Sequence, residues 1–160
     1  MKLKRLGKSV GEVKLSLVKY PAIQENFIAL SDDSDVFTIA LAEEKGDQRI
    51  ITGPALVPNK WMERVKSNCH LYATPSDVRD FAHKFLQYSL YNTEHSEDTT
   101  ALRPLESWIS RIDNELGFNV PKGTWFMSLS VEDDELWKDI KTGKYRGFSI
   151  EGYFINSLNN

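Results

Sequence analysis

The residue whose surroundings most favour chemistry is Ser149, in the segment Gly147-Phe148-Ser149-Ile150-Glu151-Gly152. Apolar Phe148 and Ile150 on either side indicate a strand, with the serine pointing to the opposite face. The two flanking glycines have no side chain, so a substrate or another backbone can approach closely. The spacing is not that of the Gly-x-Ser-x-Gly elbow, and no helix follows. The competing interpretation is an unreactive serine on an ordinary strand.

A nucleophilic serine needs a base within hydrogen-bond reach and a third group that orients the base. His95 is the candidate base, because nearby carboxylates on Glu94, Glu97 and Asp98 stabilise a protonated imidazole. The alternative is a solvated loop histidine. Glu106 is the candidate third group, since it is a carboxylate in an apolar strand shortly after His95, where a charge needs a partner or the strand's outer face.

Two other nucleophiles are weaker candidates. Ser107 lies beside Glu106 but lacks flanking glycines. Cys69, the single cysteine, lies in an apolar-bounded stretch and is better explained as a buried structural thiol. One cysteine excludes an internal disulfide and favours a reducing compartment.

The sequence predicts neither a metal site nor a cofactor. The three histidines, His70, His83 and His95, form no His-x-x-x-His pair, and there is no Cys-x-x-Cys. A net charge of −3 excludes an extended basic surface, so nucleic acid is not an expected partner. No apolar run is long enough to cross a membrane, and the N-terminus has no signal-peptide core, so we expect action inside a cell.

Hydrophobic patterning predicts strands separated by turns, and two helices. The strands are expected at residues 13–18, 36–42, 49–58, 70–73, 102–112, 124–131 and 145–155. Gly53-Pro54 predicts a bulge or a barrel corner, and Pro104 an edge strand. A capped amphipathic helix should run from about residue 75 to Tyr88 or Tyr91, and a second over 133–141; residues 61–65 suggest one helical turn.

These elements show no regular alternation of strand and helix, and they predict a mainly antiparallel α+β fold with a sheet closing toward a barrel. One domain should span residues 1–160, with residues 1–33 weakly defined by pattern and 155–160 forming a tail. The tryptophans fit core packing better than a sugar-stacking surface.

Several segments together resemble the XkdF-like phage serine proteases, which are similar to phage prohead (capsid maturation) proteases and to herpesvirus assemblins. The resemblance covers residues 49–154 and rests on the order and spacing of these pieces: Gly53-x-x-Leu56-Val57-Pro58, Asn92-x-x-His95, Glu106-Ser107-Trp108-Ile109, Gly123-Thr124-Trp125, Asp134-x-x-Trp137-x-x-Ile140-Lys141-x-Gly143 and Gly147-Phe148-Ser149-Ile150-Glu151-Gly152.

The resemblance implies a herpesvirus-protease-like fold, a closed or partly closed β-barrel flanked by a few helices. It implies a serine endopeptidase that cleaves scaffold and capsid-protein extensions inside the assembling prohead, in the cytoplasm of the infected host. The partners would be the scaffold and major capsid proteins, and self-association is left open. Members often have a longer C-terminal segment; whether that segment is missing here, is a separate protein or does not exist is also left open.

The resemblance assigns the nucleophile to Ser149 and the base to His95. The third assemblin residue is a histidine after the serine, and none follows Ser149 here. An acidic residue is therefore needed: Glu106 first, Glu151 as the alternative, with Glu97 and Asp98 weaker. The acidic stretch 94–98 would favour basic or disordered substrate segments.

Two rival functions remain. One is a catalytically inactive capsid-assembly or scaffold-associated protein on the same fold. The other is an unrelated β-barrel binding module, which would place Trp61 or Trp125 in a deep aromatic pocket remote from Ser149.

Overall fold

The fold is described by a computed structural model covering residues 2–5, 9–24, 26, 28–30, 48–64, 69–88, 90–94 and 97–154. These residues form eleven strands, two α-helices and a 3₁₀ turn. The strands are β1 Lys2–Arg5, β2 Ser9–Val18, β3 Ile28–Leu30, β4 Ile50–Leu56, β5 Met62–Arg64, β6 Cys69–Tyr72, β7 Leu90–Thr93, β8 Glu97–Thr99, β9 Leu102–Ile109, β10 Trp125–Val131 and β11 Gly147–Phe154. The helices are α1 Pro75–Tyr88 and α2 Asp134–Lys141, and the 3₁₀ turn is Glu115–Gly117.

The described strands form three separate sheets, ordered β1-β6-β5, β3-β4-β10-β9 and β11-β2-β7-β8. The predicted closed or partly closed barrel, and with it the herpesvirus-protease-like architecture, is therefore wrong: the fold is mixed α/β, and no closed barrel is found among these strands. Two of the pairings, β1 with β6 and β2 with β7, are parallel. The edge position predicted from Pro104 is confirmed, because β9 is the outer strand of its sheet. Residues 103–106 are exposed there, and Pro104 has no N–H to donate to a further strand.

The core lies where α1 meets strands from both four-stranded sheets. The Phe85 ring packs against Trp125 of β10 and against Tyr91 of β7, with ring centroids 5.5 and 5.4 Å apart. Leu15 and Phe148 of the β11-β2-β7-β8 sheet belong to the same cluster. The core assignment of the tryptophans is confirmed for Trp125 and Trp137, which are buried.

Helix α1 follows its predicted pattern closely. Its apolar positions Val78, Phe81, Ala82 and Phe85 are buried and it ends at Tyr88, whereas Leu86, which continues the same apolar spacing, is half exposed. After Tyr88 the chain forms strand β7 instead of continuing the helix to Tyr91. Leu86 lies at the margin of the apolar stripe, where helix periodicity alone does not decide burial.

Other local predictions have mixed outcomes. The bulge beside Gly53-Pro54 is confirmed, since the β4–β10 register skips Ala55 between Pro54 and Leu56. The helical turn at residues 61–65 is wrong, because Met62–Arg64 pairs with β6 as a strand. Lys2–Arg5, in the N-terminal segment that the pattern defines only weakly, forms β1. The strand predicted at residues 36–42 lies outside the described residues.

Helix α2 begins and ends as the sequence predicts. The Asp133 side chain accepts a hydrogen bond from the Leu136 amide at 2.8 Å and caps the first turn. Gly143 follows the helix with a φ of 82°, a left-handed conformation that suits glycine. Neither described helix has the length and apolar character that crossing a membrane requires.

The start of α1 is held by Asp77, which is buried. Its carboxylate accepts two hydrogen bonds from the Arg5 guanidinium, both 2.9 Å, and one from the Thr74 amide, while Thr74 Oγ1 accepts from the Asp77 amide. This reciprocal Thr–Asp pair is a capping box. Burial acts to raise the pKa of Asp77, but the hydrogen bonds from Arg5 and Thr74 outweigh it and hold the pKa below its usual value.

We expect Asp77→Asn to lower the free energy of unfolding by about 1–3 kcal/mol at pH 7. A lowered pKa means that the folded state binds the proton less readily than the unfolded chain. The stabilisation is therefore present above the unfolded value of about 3.9 and lost as the pH falls through the folded pKa. Urea unfolding should show the difference between wild type and variant shrinking below about pH 4.

Asp80→Asn, on the same helix, is the matched control, because Asp80 makes no ion pair within the described part of the chain. We expect its effect to stay within about 0.5 kcal/mol at all pH values. A loss at Asp77 that does not depend on pH would contradict the assigned charge interaction.

Candidate active site

Ser149 lies in β11, at one edge of the β11-β2-β7-β8 sheet. Phe148 and Ile150 belong to the core, so the alternation of the strand places Ser149 on the opposite face, as predicted. Ser149 is 7% exposed, and its hydroxyl makes no hydrogen bond within the described residues. The nucleophile candidate is thus a largely enclosed serine whose proton and lone pairs are uncommitted there.

A row of polar residues crosses the sheet at the level of Ser149. Its antiparallel partner in β2 is Ser16, the parallel partner of Ser16 in β7 is Asn92, and Asn92 is paired with Asp98 in β8. Ser16 is fully buried and Asn92 is 3% exposed. The Ser16 hydroxyl donates a hydrogen bond to Asn92 Oδ1. This pair joins β2 to β7, and since neighbouring strands lie about 4.8 Å apart, β11 lies roughly 10 Å from β7.

The end of the sheet nearest Gly147 is fixed by Glu94. Its amide donates to the Leu17 carbonyl at 2.9 Å, and its carboxylate accepts from the Lys19 amide at 2.8 Å. Glu94 has a φ of 48°, uncommon for a residue other than glycine. Beside it, the Arg146 amide donates to the Val18 carbonyl at 2.8 Å. The chain entering β11 and the chain leaving β7 are thus both anchored to the same end of β2.

His95, the predicted base, lies outside the described residues. It is bonded to Glu94, so it follows directly from the anchored end of β7. Its assignment stays a prediction.

The structure places the predicted acidic residues at several different positions. Glu106 is exposed on β9 in the other four-stranded sheet, where its register partner is Ser128. Glu151 pairs with Lys14, two residues along β11 from Ser149. Glu97 and Asp98 are exposed on β8, about three strand spacings, or roughly 14 Å, from β11. Asp98 forms an ion pair with Lys14, with 3.0 Å between Oδ1 and Nζ. Glu106 therefore lies in a different sheet from Ser149, and Glu151 lies in the same strand.

The rival nucleophile Ser107 has a structural partner. The indole N–H of buried Trp125 donates to Ser107 Oγ at 3.0 Å. This contact occupies one lone pair of the Ser107 hydroxyl and links it to the core residue Trp125. Trp125 itself is part of the core, and Trp61, 62% exposed, packs against His70 with ring centroids 5.8 Å apart. Trp125 is thus in the core and Trp61 at the surface, so neither lines a deep aromatic pocket of the kind that a binding module would have.

Across the described parts of the chain, no three histidine, cysteine, aspartate or glutamate side chains come together as a metal site. His83 is exposed on α1, as its helix position predicts, and His70 lies in β6. These two histidines therefore lie in separate elements.

A cleft of about 490 Å³ lies between β8 and α2. Strand β8 begins two residues after His95 in the chain. Five carboxylates and one lysine are among its lining residues: Glu97, Asp98, Asp133, Glu135, Asp139 and Lys144. Lys144 is paired with Asp139 at 3.3 Å. The lining therefore carries excess negative charge; the preference for basic substrate segments stays a prediction.

Sequence reasoning gave Ser16 no role and quoted Asn92 only as part of a motif. A signal was available in Ser16, which alternates with the buried residues Leu15 and Leu17 and so faces the side of the sheet occupied by Ser149. Its proximity to Asn92 and Ser149 depends on strand register, which a single sequence does not specify.

Residues 36–156 match the family described as "Putative phage serine protease XkdF", and the chain belongs to that family.

One curated relative is the "Uncharacterized protein YqbD" of Bacillus subtilis (strain 168), 25% identical over 114 residues. The match covers 70% of this chain and 34% of that protein, so the chain spans about a third of the relative's length. No solved structure matches the chain.

Proposed function

We propose that the chain is a maturation protease of a phage prohead, a serine endopeptidase that cleaves scaffold and capsid-protein extensions during head assembly. Membership of the phage serine protease family supports the reaction class. The observation that carries the site is that Ser149, largely enclosed and flanked by glycines, lies in the same sheet as the strand that leads to His95. Its partners would be the scaffold and major capsid proteins, met inside the assembling particle in the host cytoplasm.

The proposed reaction uses Ser149 as nucleophile and His95 as base. Ser149 Oγ attacks the carbonyl carbon of a substrate peptide bond as His95 takes the hydroxyl proton. The carbon–nitrogen bond then breaks, and His95 returns the proton to the leaving amine. Water, deprotonated by His95, hydrolyses the ester bond to Ser149 and regenerates the enzyme. Glu106 or Glu151 would orient the imidazole.

A fluorophosphonate probe tests the nucleophile without knowledge of the substrate. Ser149 Oγ would attack phosphorus and displace fluoride, passing its proton to the base, and leave a stable phosphonyl ester on the protein. We expect mass spectrometry of wild-type protein to locate the added group on Ser149. Modification of another serine would contradict the assignment of Ser149 as nucleophile. No modification at all would contradict the proposed function and favour the inactive capsid-assembly protein.

A further inference from the structure

A buried hydroxyl on β2 and a buried amide on β7 lie in register with Ser149, and β7 is the strand that leads to His95. Ser16 is fully buried and Asn92 almost so, and the two are joined by a hydrogen bond although they are 76 residues apart in sequence. Burying polar groups costs free energy unless they are bonded, and apolar side chains would fill such positions at lower cost. The pair satisfies this requirement through its own hydrogen bond, so its position in the sheet decides what further role it can have.

Strand register brings Ser16 next to the nucleophile. Ser149 and Ser16 are directly opposite each other in the antiparallel β11–β2 ladder. Such partners have Cβ atoms about 4.5–5.5 Å apart, so a rotation about χ1 brings two serine hydroxyls within hydrogen-bond reach. No other residue of β2 directly faces Ser149.

The two hydroxyls are not hydrogen-bonded in the structure, so the inference concerns the bond that this rotation would form, and proton counting fixes its direction. A serine hydroxyl has one proton and two lone pairs. The proton of Ser16 is donated to Asn92 Oδ1, so toward Ser149 the Ser16 oxygen acts as an acceptor. A donation from Ser149 to Ser16 would hold the nucleophile in one rotamer until substrate and base take over the proton.

We propose that Ser16 and Asn92 are positioning residues for Ser149, an inference that rests on the proposed function. Asn92 fixes the Ser16 hydroxyl, and Ser16 fixes the Ser149 side chain. The same pair ties β2 to β7 within a parallel ladder of only four residue pairs, and so keeps Ser149 aligned with the chain that continues to His95.

The test is the second-order rate of fluorophosphonate labelling at Ser149, measured across pH for wild type and variants. We expect Ser16→Ala and Asn92→Ala each to slow labelling about tenfold, the value of one well-placed hydrogen bond. The double variant should be no slower than either single variant, because the two side chains act as a unit. Ser16→Thr keeps the oxygen and should label within about threefold of wild type.

A matched control exists in the other four-stranded sheet. Ser128 and Thr52 are also a buried pair joined by a hydrogen bond between hydroxyls, in β10 and β4. Ser128→Ala should change thermal stability as much as Ser16→Ala does while leaving the labelling rate at the wild-type value. This comparison separates loss of a buried hydrogen bond from loss of nucleophile positioning.

The possible outcomes are distinguishable. Wild-type labelling at Ser149 with equally fast Ser16→Ala labelling would overturn this inference and leave the proposed function intact. Equal slowing in Ser16→Ala, Ser16→Thr and Ser128→Ala would assign the pair a purely structural role and would also overturn it. Absence of labelling in wild type would overturn the proposed function and the inference together.

Discussion

Ser149→Ala and His95→Ala are each expected to reduce cleavage of co-expressed scaffold and capsid proteins by a factor on the order of 10⁴–10⁶. The reason is that nucleophile and base act in one proton-coupled step, so that either loss removes the covalent route entirely. For the same reason the double variant should be no slower than either single variant. Gel electrophoresis and mass spectrometry of the substrate termini would measure the loss.

Ser107→Ala provides the control for the serine. Its hydroxyl accepts a hydrogen bond from the Trp125 indole in the β3-β4-β10-β9 sheet, and its loss should affect stability rather than cleavage. Normal cleavage by Ser149→Ala, or independent and additive losses from Ser149→Ala and His95→Ala, would contradict the mechanism. Loss in Ser107→Ala alone would transfer the role of nucleophile to Ser107.

Trp125→Ala is expected to lower the free energy of unfolding by about 3–5 kcal/mol. The Trp125 side chain is fully buried, its ring packs against Phe85 of α1, and its indole N–H donates to Ser107. Truncation would leave a cavity between α1 and β10 and an unpaired hydroxyl acceptor. Urea unfolding should report the loss, and the melting temperature should fall by roughly 10 °C.

Trp61→Ala is the matched comparison, since the same side chain is removed from a position that is 62% exposed. Its effect should stay below about 1 kcal/mol, because most of the ring already contacts water. If Trp61→Ala cost as much as Trp125→Ala, the core assigned to α1 and the two four-stranded sheets would be incorrect.

Local chemistry made several features predictable from sequence. The apolar periodicity and the Thr74–Asp77 cap determined α1, and Asp133 with Gly143 set the limits of α2. The bulky neighbours of Ser149 specified a strand and the face on which the serine lies. Such signals lie within a few residues of one another, so tertiary contacts are not needed to interpret them.

The arrangement of the strands was not predictable in the same way. Alternation suggested a single sheet closing into a barrel, but the described strands form separate sheets with two parallel pairings. Pairing partners are chosen by packing between segments distant in sequence, and a strand's own pattern is equally compatible with several neighbours.

The sequence by itself determined that Ser149 is a glycine-flanked serine on the face of a strand opposite the core, and it predicts His95, earlier in the chain, as the base. Only the tertiary structure decided that Ser16 and Asn92 lie in register with Ser149, and that Glu106 lies in a different sheet. The physical reason is that side-chain chemistry and strand periodicity are local properties. Register and sheet order arise instead from contacts such as Ser16–Asn92, which form only when the whole chain packs.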